Sequence, residues 1–369
     1  MDVVSTTANS AEVSVILRRQ VPIRFEETAR SWFGGLPQMP RGVRWPRALA
    51  TGSALNFIAQ VCCADLPEQL WAGRGPREGW LLLFVDKELE ASSGPKDGFV
   101  QVLHIDELGP ERRPPRKKGS DDGPVVIRRW PLDVVVQEVP ARPPLPPEEK
   151  PWEWGWTPLP IKGEELYGAS VDSEPLACWR IPEVRPQTWR DARQMIDNAF
   201  HDLARPGETL VEKRRAELDE IRANILRQGR DAAMSDSEWD ELKAKLTSGV
   251  TKFWYKWRYQ RAIEERSLET MLDAYVRSAA AQATIPPTIL AELEPKLRNI
   301  GETPHRMGGP RDALQGYAEP DDGDLLFQIA SDDAMGWMWA DLGALFVFIN
   351  PADLTVRRFA RITAYLLGG

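Results

Sequence analysis

GDLLFQIASDDAMGWMWADLGALFVFINPADL, residues 323–354, is the stretch whose reading decides the fold. Leu325–Ala330 and Ala344–Asn350 are apolar runs of strand length, bounded by Gly, Asp and Asn. Runs of that size and setting read as buried strands. The connection between them is acidic and rich in Trp and Met.

Working outward, the same order of features occurs near the N-terminus. Leu325-Leu326-Phe327-Gln328-Ile329 falls on Phe57-Ile58-Ala59-Gln60-Val61, with a glutamine at the same place in each. Gly343 to Asn350 falls on Gly79 to Asp86, and Gly308-Gly309-Pro310 echoes Gly34-Gly35-Leu36-Pro37. Internal similarity bears on the whole architecture, so it weighs more than any single segment. Two copies are too few for a solenoid. They predict a pair of similar β-units sharing one core, against the simpler reading that buried strands between Gly-bounded turns resemble one another.

These residues also resemble a known family, the YwqG-like bacterial proteins, a domain of unknown function. The resemblance is carried by Ser31-Trp32-Phe33-Gly34-Gly35-Leu36-Pro37 with Trp45-Pro46, by Leu55 to Gln60 with Asp65-Leu66, and by Gly79 to Phe84. It continues in His305-Arg306-Met307-Gly308-Gly309 and in Leu325 to Gln328 with Ser331-Asp332-Asp333, Trp339-Ala340-Asp341 and Gly343. It covers about residues 1–130 and 300–369. The sequence departs from the family pattern at Ala340, where a Gly is usual, and at Pro310-Arg311, where Tyr-Pro is usual. The resemblance implies a fold and an organisation but no activity.

Composition narrows the function classes. The chain has 369 residues, 42% hydrophobic and 28% charged, with a net charge of −8 and 15 Trp. That length and balance suit two or three domains with real cores. The negative charge argues against general binding to nucleic acid or an anionic membrane. The basic run within Glu111–Asp122 lies beside two aspartates, lacks interleaved aromatics and reads as a solvated loop. Three cysteines, Cys62, Cys63 and Cys178, cannot all pair within the chain, which favours a reducing compartment. There is no signal-peptide pattern and no run of transmembrane length, so a cytoplasmic protein is expected.

The order of segments predicts an α+β fold. A β-rich half spans 1–139, a Pro/Trp-rich linker 140–187, a helical insertion 188–298, and a C-terminal β-rich half 299–369 completes the first domain. The linker holds Pro143–Pro147, a polyproline II run, and Trp152, Trp154 and Trp156 at alternating positions. In the insertion, Thr188 with Asp191 and Ser235 with Glu238 have the spacing of capping boxes. The longest predicted helix runs from Thr251 to Ala283.

Candidate chemistry is sparse. Only His104, His201 and His305 occur, and no Cys-x-x-Cys or His-x-x-x-His pair supports a zinc site. The Gly-Gly loops lack the Lys-Ser/Thr of a phosphate loop, and no Gly-x-Ser-x-Gly elbow is present. His305, Asp332, Asp333 and Asp341 form the one acidic/His group that could serve a hydrolase, with or without a divalent ion. No cofactor or metal is expected. Gln60 and Gln328 are polar residues inside apolar strands, so their amides need partners. They either bond to neighbouring loops or, with Trp45, His305, Arg306 and Trp339, line a ligand cleft between the halves. Two readings of function follow. One is a noncatalytic binding or adaptor module that meets a protein partner through the insertion or the inter-half cleft, or takes a small ligand. The other is a hydrolase using the acidic/His group.

Overall fold

The computed structural model describes residues 12–49, 51–86, 92–95, 98–115, 125–139, 185–193, 220–221, 223–225, 227–229, 232–247, 267–298, 303–312, 323–340 and 342–368. The chain divides into two compact units, Met1–Pro175 with Leu290–Gly369, and Leu176–Ile289.

The first unit is β-rich. Its strands are β1 (Glu12–Arg19), β2 (Trp32–Phe33), β3 (Asn56–Cys62), β4 (Trp80–Val85), β5 (Ser92–Pro95), β6 (Val100–Ile105) and β7 (Trp130–Val139). They continue with β8 (Arg306–Met307), β9 (Asp324–Ala330), β10 (Ala344–Ile349) and β11 (Ile362–Leu367). All pair antiparallel in one eleven-stranded sheet of order β5-β11-β10-β9-β8-β1-β7-β2-β3-β4-β6. The sheet curls so that its ends approach: His104 of β6 lies 5.9 Å from Phe359, in the turn that leads into β11. The result is a nearly closed, barrel-like sheet.

The centre of the sheet is the pair β1–β7, registered from Glu12 opposite Val139 to Arg19 opposite Leu132. Outward from β1 run β8, β9, β10 and β11; outward from β7 run β2, β3, β4 and β6. The apolar runs predicted as strands near 57–61, 80–85, 325–330 and 344–350 are β3, β4, β9 and β10. In β9 and β10 the side chains on both faces are buried apart from Asp324, as near-continuous apolar runs require. β3 and β9 also share an irregularity: the register skips one residue at Ile58 against β4 and one at Leu326 against β10. Each bulged residue stands two places before a glutamine.

β7 begins at Trp130 because Trp130 and Pro131 pair with Phe33 and Trp32 of β2. The apolar run Val125–Ile127 that precedes it is irregular. β5 and β11 have weak sequence patterns; β5 is an edge strand, and β11 lies between it and β10.

In the second unit both capping boxes form. Thr188 Oγ1 accepts from the Asp191 N–H at 3.3 Å while the Asp191 carboxylate accepts from the Thr188 N–H at 3.1 Å. Ser235 and Glu238 make the same reciprocal pair, opening the helix Asp236–Thr247, which buries Trp239. The predicted helix ending at Ala283 is interrupted at Ser278, whose side chain accepts from the Ala281 N–H and caps a new turn, Ala279–Gln282. The polyproline run, the three linker tryptophans, Cys178, His201 and Asp341 lie outside the described residues.

Candidate functional site

His305 immediately precedes β8, and Asp332 follows the end of β9. Antiparallel pairing of Arg306 with Gln328 sets these two strands side by side. The His305 Nε2 meets the Asp332 carboxylate at 3.0 Å, and its Nδ1 accepts the backbone N–H of Ala330 at 3.1 Å. An N–H donor at Nδ1 requires a lone pair there, so the ring carries its proton on Nε2 and donates it to Asp332. Both ring nitrogens are thereby used.

The other Asp332 oxygen faces Arg19, the last residue of β1, with Nη1 at 3.0 Å. It also accepts the backbone N–H groups of Ala334 and Met335, at 2.9 and 3.3 Å, which folds 332–335 into a turn around the carboxylate. Arg19 donates through Nη2 to the Leu297 carbonyl and lies 5.0 Å from the Trp130 ring. All three charged or polar side chains are buried, with Arg19 5%, His305 4% and Asp332 8% exposed. Burial by itself would push the Asp332 carboxyl up; the Arg19 charge, the His305 bond and the Met335 N–H outweigh it and hold the carboxyl at about 2. Phe33 and Trp337 close the site edge-on, with centroids 4.8 and 5.9 Å from the imidazole. Asp333, next in sequence, is exposed; desolvation and the Asp332 charge push it up.

Arg306 and Gln328 form a second buried network. Gln328 Nε2 donates to the Pro304 carbonyl at 2.8 Å and to the Asp312 carboxylate at 2.6 Å, and its Oε1 accepts the Asp312 N–H at 2.9 Å. Arg306 donates to the Pro310 carbonyl at 3.1 Å and pairs with Asp312 at 3.3 Å. The predicted cleft arginine therefore spends its fork inside the fold, at 1% exposure.

Gln60 stands apart in the sheet, on β3 opposite Trp32. Its Oε1 accepts the Gln38 N–H at 3.0 Å, the counterpart of the Asp312 bond to Gln328, but its Nε2 is buried without a hydrogen-bond partner. Trp45 packs at 5.3 Å from Phe84 and donates to the Leu55 carbonyl; Trp339 donates to the Ala330 carbonyl. The structure thus joins His305 to Asp332 and Arg306 to Gln328, and places Trp45 with the cluster around Trp32 and Phe84. Asp341 is not described. Among the described residues no group of three His, Cys, Asp or Glu side chains is placed to hold a metal ion, and no helix is long and apolar enough to cross a membrane.

Arg19 and Asp312 escaped the sequence reading. Arg19 had a signal: an arginine closing the apolar run Val13–Leu17 must find a counterion if the strand is buried. Asp312 had none.

None of the curated proteins compared matches the chain. A family model, described as a domain of unknown function (DUF1963), matches residues 31–366. That match begins after β1, takes in β2 to β10 and nearly all of β11, and the chain belongs to the DUF1963 family.

Proposed function

We propose that this chain is a noncatalytic binding or adaptor module that engages a protein or a small ligand. The observation that supports it is the commitment of His305: one ring nitrogen accepts from Ala330 and the other donates to Asp332. A general base needs a nitrogen within reach of a substrate proton, and a hydrolase built on this group would have to break one of these bonds first. Asp332, tied to Arg19, His305 and two backbone N–H groups, is likewise spent on structure.

On this reading the β-rich unit is a duplicated scaffold, YwqG-like in organisation. The matched bulges at Ile58 and Leu326, the matched Gln60 and Gln328 acceptors, and the mirrored strand order on either side of β1–β7 support it. Residues 140–187 form the linker and 188–298 the insertion that meets a protein partner; Trp45, Gln60, His305, Arg306, Gln328 and Trp339 belong to the scaffold that bears the ligand. The setting is the bacterial cytoplasm, without nucleic acid or membrane.

Affinity capture tests this with the full chain and a chain lacking 188–298. Partners recovered by the full chain and lost on deletion are expected; identical partners from both would remove the insertion from binding. Screening for hydrolysis supplies the opposing test. Turnover abolished in folded His305→Ala and Asp332→Asn variants would overturn the noncatalytic reading.

A further inference from the structure

Most buried polar groups in a folded protein find a partner. One face of the β2–β3–β4 region departs from that. Trp32 and Gln60 are cross-strand partners, and Gln60 is in turn opposite Leu82. Alternation along β4 puts Trp80 on the same face as Leu82. Trp32, Leu82 and Phe84 form one apolar cluster with Met39 and Trp45, and Trp80 packs against it. On this face the Trp32 Nε1, Gln60 Nε2 and Trp80 Nε1 atoms are all buried without a hydrogen-bond partner. Trp32 and Gln60 are both 0% exposed.

All three are N–H donors, and a buried donor left unmet is destabilising because it has given up its bond to water. Their complement is a group that only accepts. The comparable position across the sheet shows what is missing: Gln328 Nε2 is met there by the Asp312 carboxylate and the Pro304 carbonyl. At Gln60 the residue whose N–H reaches Oε1 is Gln38, which brings no carboxylate. The surrounding charge also favours an anion. The Arg129 guanidinium lies 3.9 Å from the Trp32 ring centroid, and its only described ion pair is with the exposed Glu111, at 2.9 Å. Burial weakens the hold of Arg129 on its proton, a cost that a nearby anion would relieve. Arg112 ties the covering segment down by donating to the Pro40 and Val43 carbonyls.

We propose that this face, beneath the Gly35–Trp45 segment, is a binding site for a small oxyanion, a carboxylate or a phosphate group, taken up by the Trp32, Gln60 and Trp80 donors. The proposal rests on the binding-module reading in treating the sheet as a ligand-bearing scaffold. It does not depend on the insertion, so its failure leaves the capture experiment unaffected.

The test uses the full chain with isotope-labelled indoles, the Trp32 and Trp80 N–H resonances being assigned from Trp32→Phe and Trp80→Phe. Inorganic phosphate and acetate are titrated separately, each against sodium chloride at matched ionic strength. A saturable downfield shift of both resonances is expected. A response to acetate alone assigns a carboxylate ligand, and one to phosphate alone a phosphate ligand. Removing a donor to a charged group should weaken binding at least about tenfold, in Trp80→Phe, which keeps an aromatic ring, and in Gln60→Met. Resonances indifferent to both anions, or exchanging with internal water only, would overturn the site. So would unchanged affinity in both variants.

Discussion

Gln328 and Asp312 are bonded twice: the amide donates to the carboxylate at 2.6 Å, and the Asp312 N–H returns a bond to the amide oxygen at 2.9 Å. The same carboxylate pairs with Arg306, so one side chain serves both a buried amide and a buried cation. Replacing Asp312 with Ala would leave the cation without its described ion pair and take one acceptor from Gln328. Breaking a buried pair from one side costs about 3–5 kcal/mol. Chemical denaturation of Asp312→Ala is expected to show a loss of that size, with Asp312→Asn smaller because it keeps an acceptor for Gln328.

The Arg19–Asp332–His305 cluster gives stability a pH signature. Asp332 is held at about 2 in the folded chain against an ordinary value of 3.8. Between those values the unfolded chain binds the proton and the folded chain does not. The contribution is therefore complete above the ordinary value and is lost as pH falls through the folded one, about 2 kcal/mol in all. Denaturation midpoints measured from neutral pH down to the acid limit should show this fall. In Asp332→Asn the fall should be smaller by that amount, on a baseline already lowered at neutral pH by the unmet need of Arg19 for a counterion.

Gly34 adopts φ +60°, and a Cβ there would stand 2.1 Å from the Arg128 carbonyl oxygen, which is backbone and cannot swing away. Gly34→Ala should cost more than about 1 kcal/mol through strain and collision together. Gly336 has a similar φ of +68°, and nothing lies within 4 Å of the place its Cβ would take. Gly336→Ala should therefore lose only the smaller conformational share. Comparing the two melting temperatures separates collision from backbone strain.

Cys63 is fully buried, and burial, with the adjacent Cys62 adding to it, pushes its thiol up to about 12. At mildly alkaline pH only about one molecule in ten thousand would carry the thiolate. Alkylation of native protein followed by peptide mapping should leave Cys63 unmodified, and labelling should begin only where denaturant unfolds the turn that follows β3. Labelling at the rate of a free thiol would contradict the burial.

Much of the scaffold was legible in the sequence. Phe57–Val61, Trp80–Val85, Leu325–Ala330 and Ala344–Ile349 read as buried strands because continuous apolar runs must leave water and these are too short for a buried helix. Thr188 with Asp191 and Ser235 with Glu238 announced their helix starts because capping is local chemistry, complete within four residues. The pairing of Gln60 with Gln38 and of Gln328 with Asp312 was foreseen only as a need for loop partners, without their identity.

What the tertiary structure alone decided is who meets whom. An apolar run states that it must be buried, but its hydrogen bonds fit any neighbouring strand of matching register, so nothing in Val13–Leu17 says that β1 lies between β7 and β8. That placement brings Arg19 to Asp332, from the opposite end of the chain, and uses both nitrogens of His305. The sequence by itself determined which groups carry charge and which segments leave water. Only long-range strand pairing determined that the charges neutralise one another inside, while Trp32, Gln60 and Trp80 keep donors without partners.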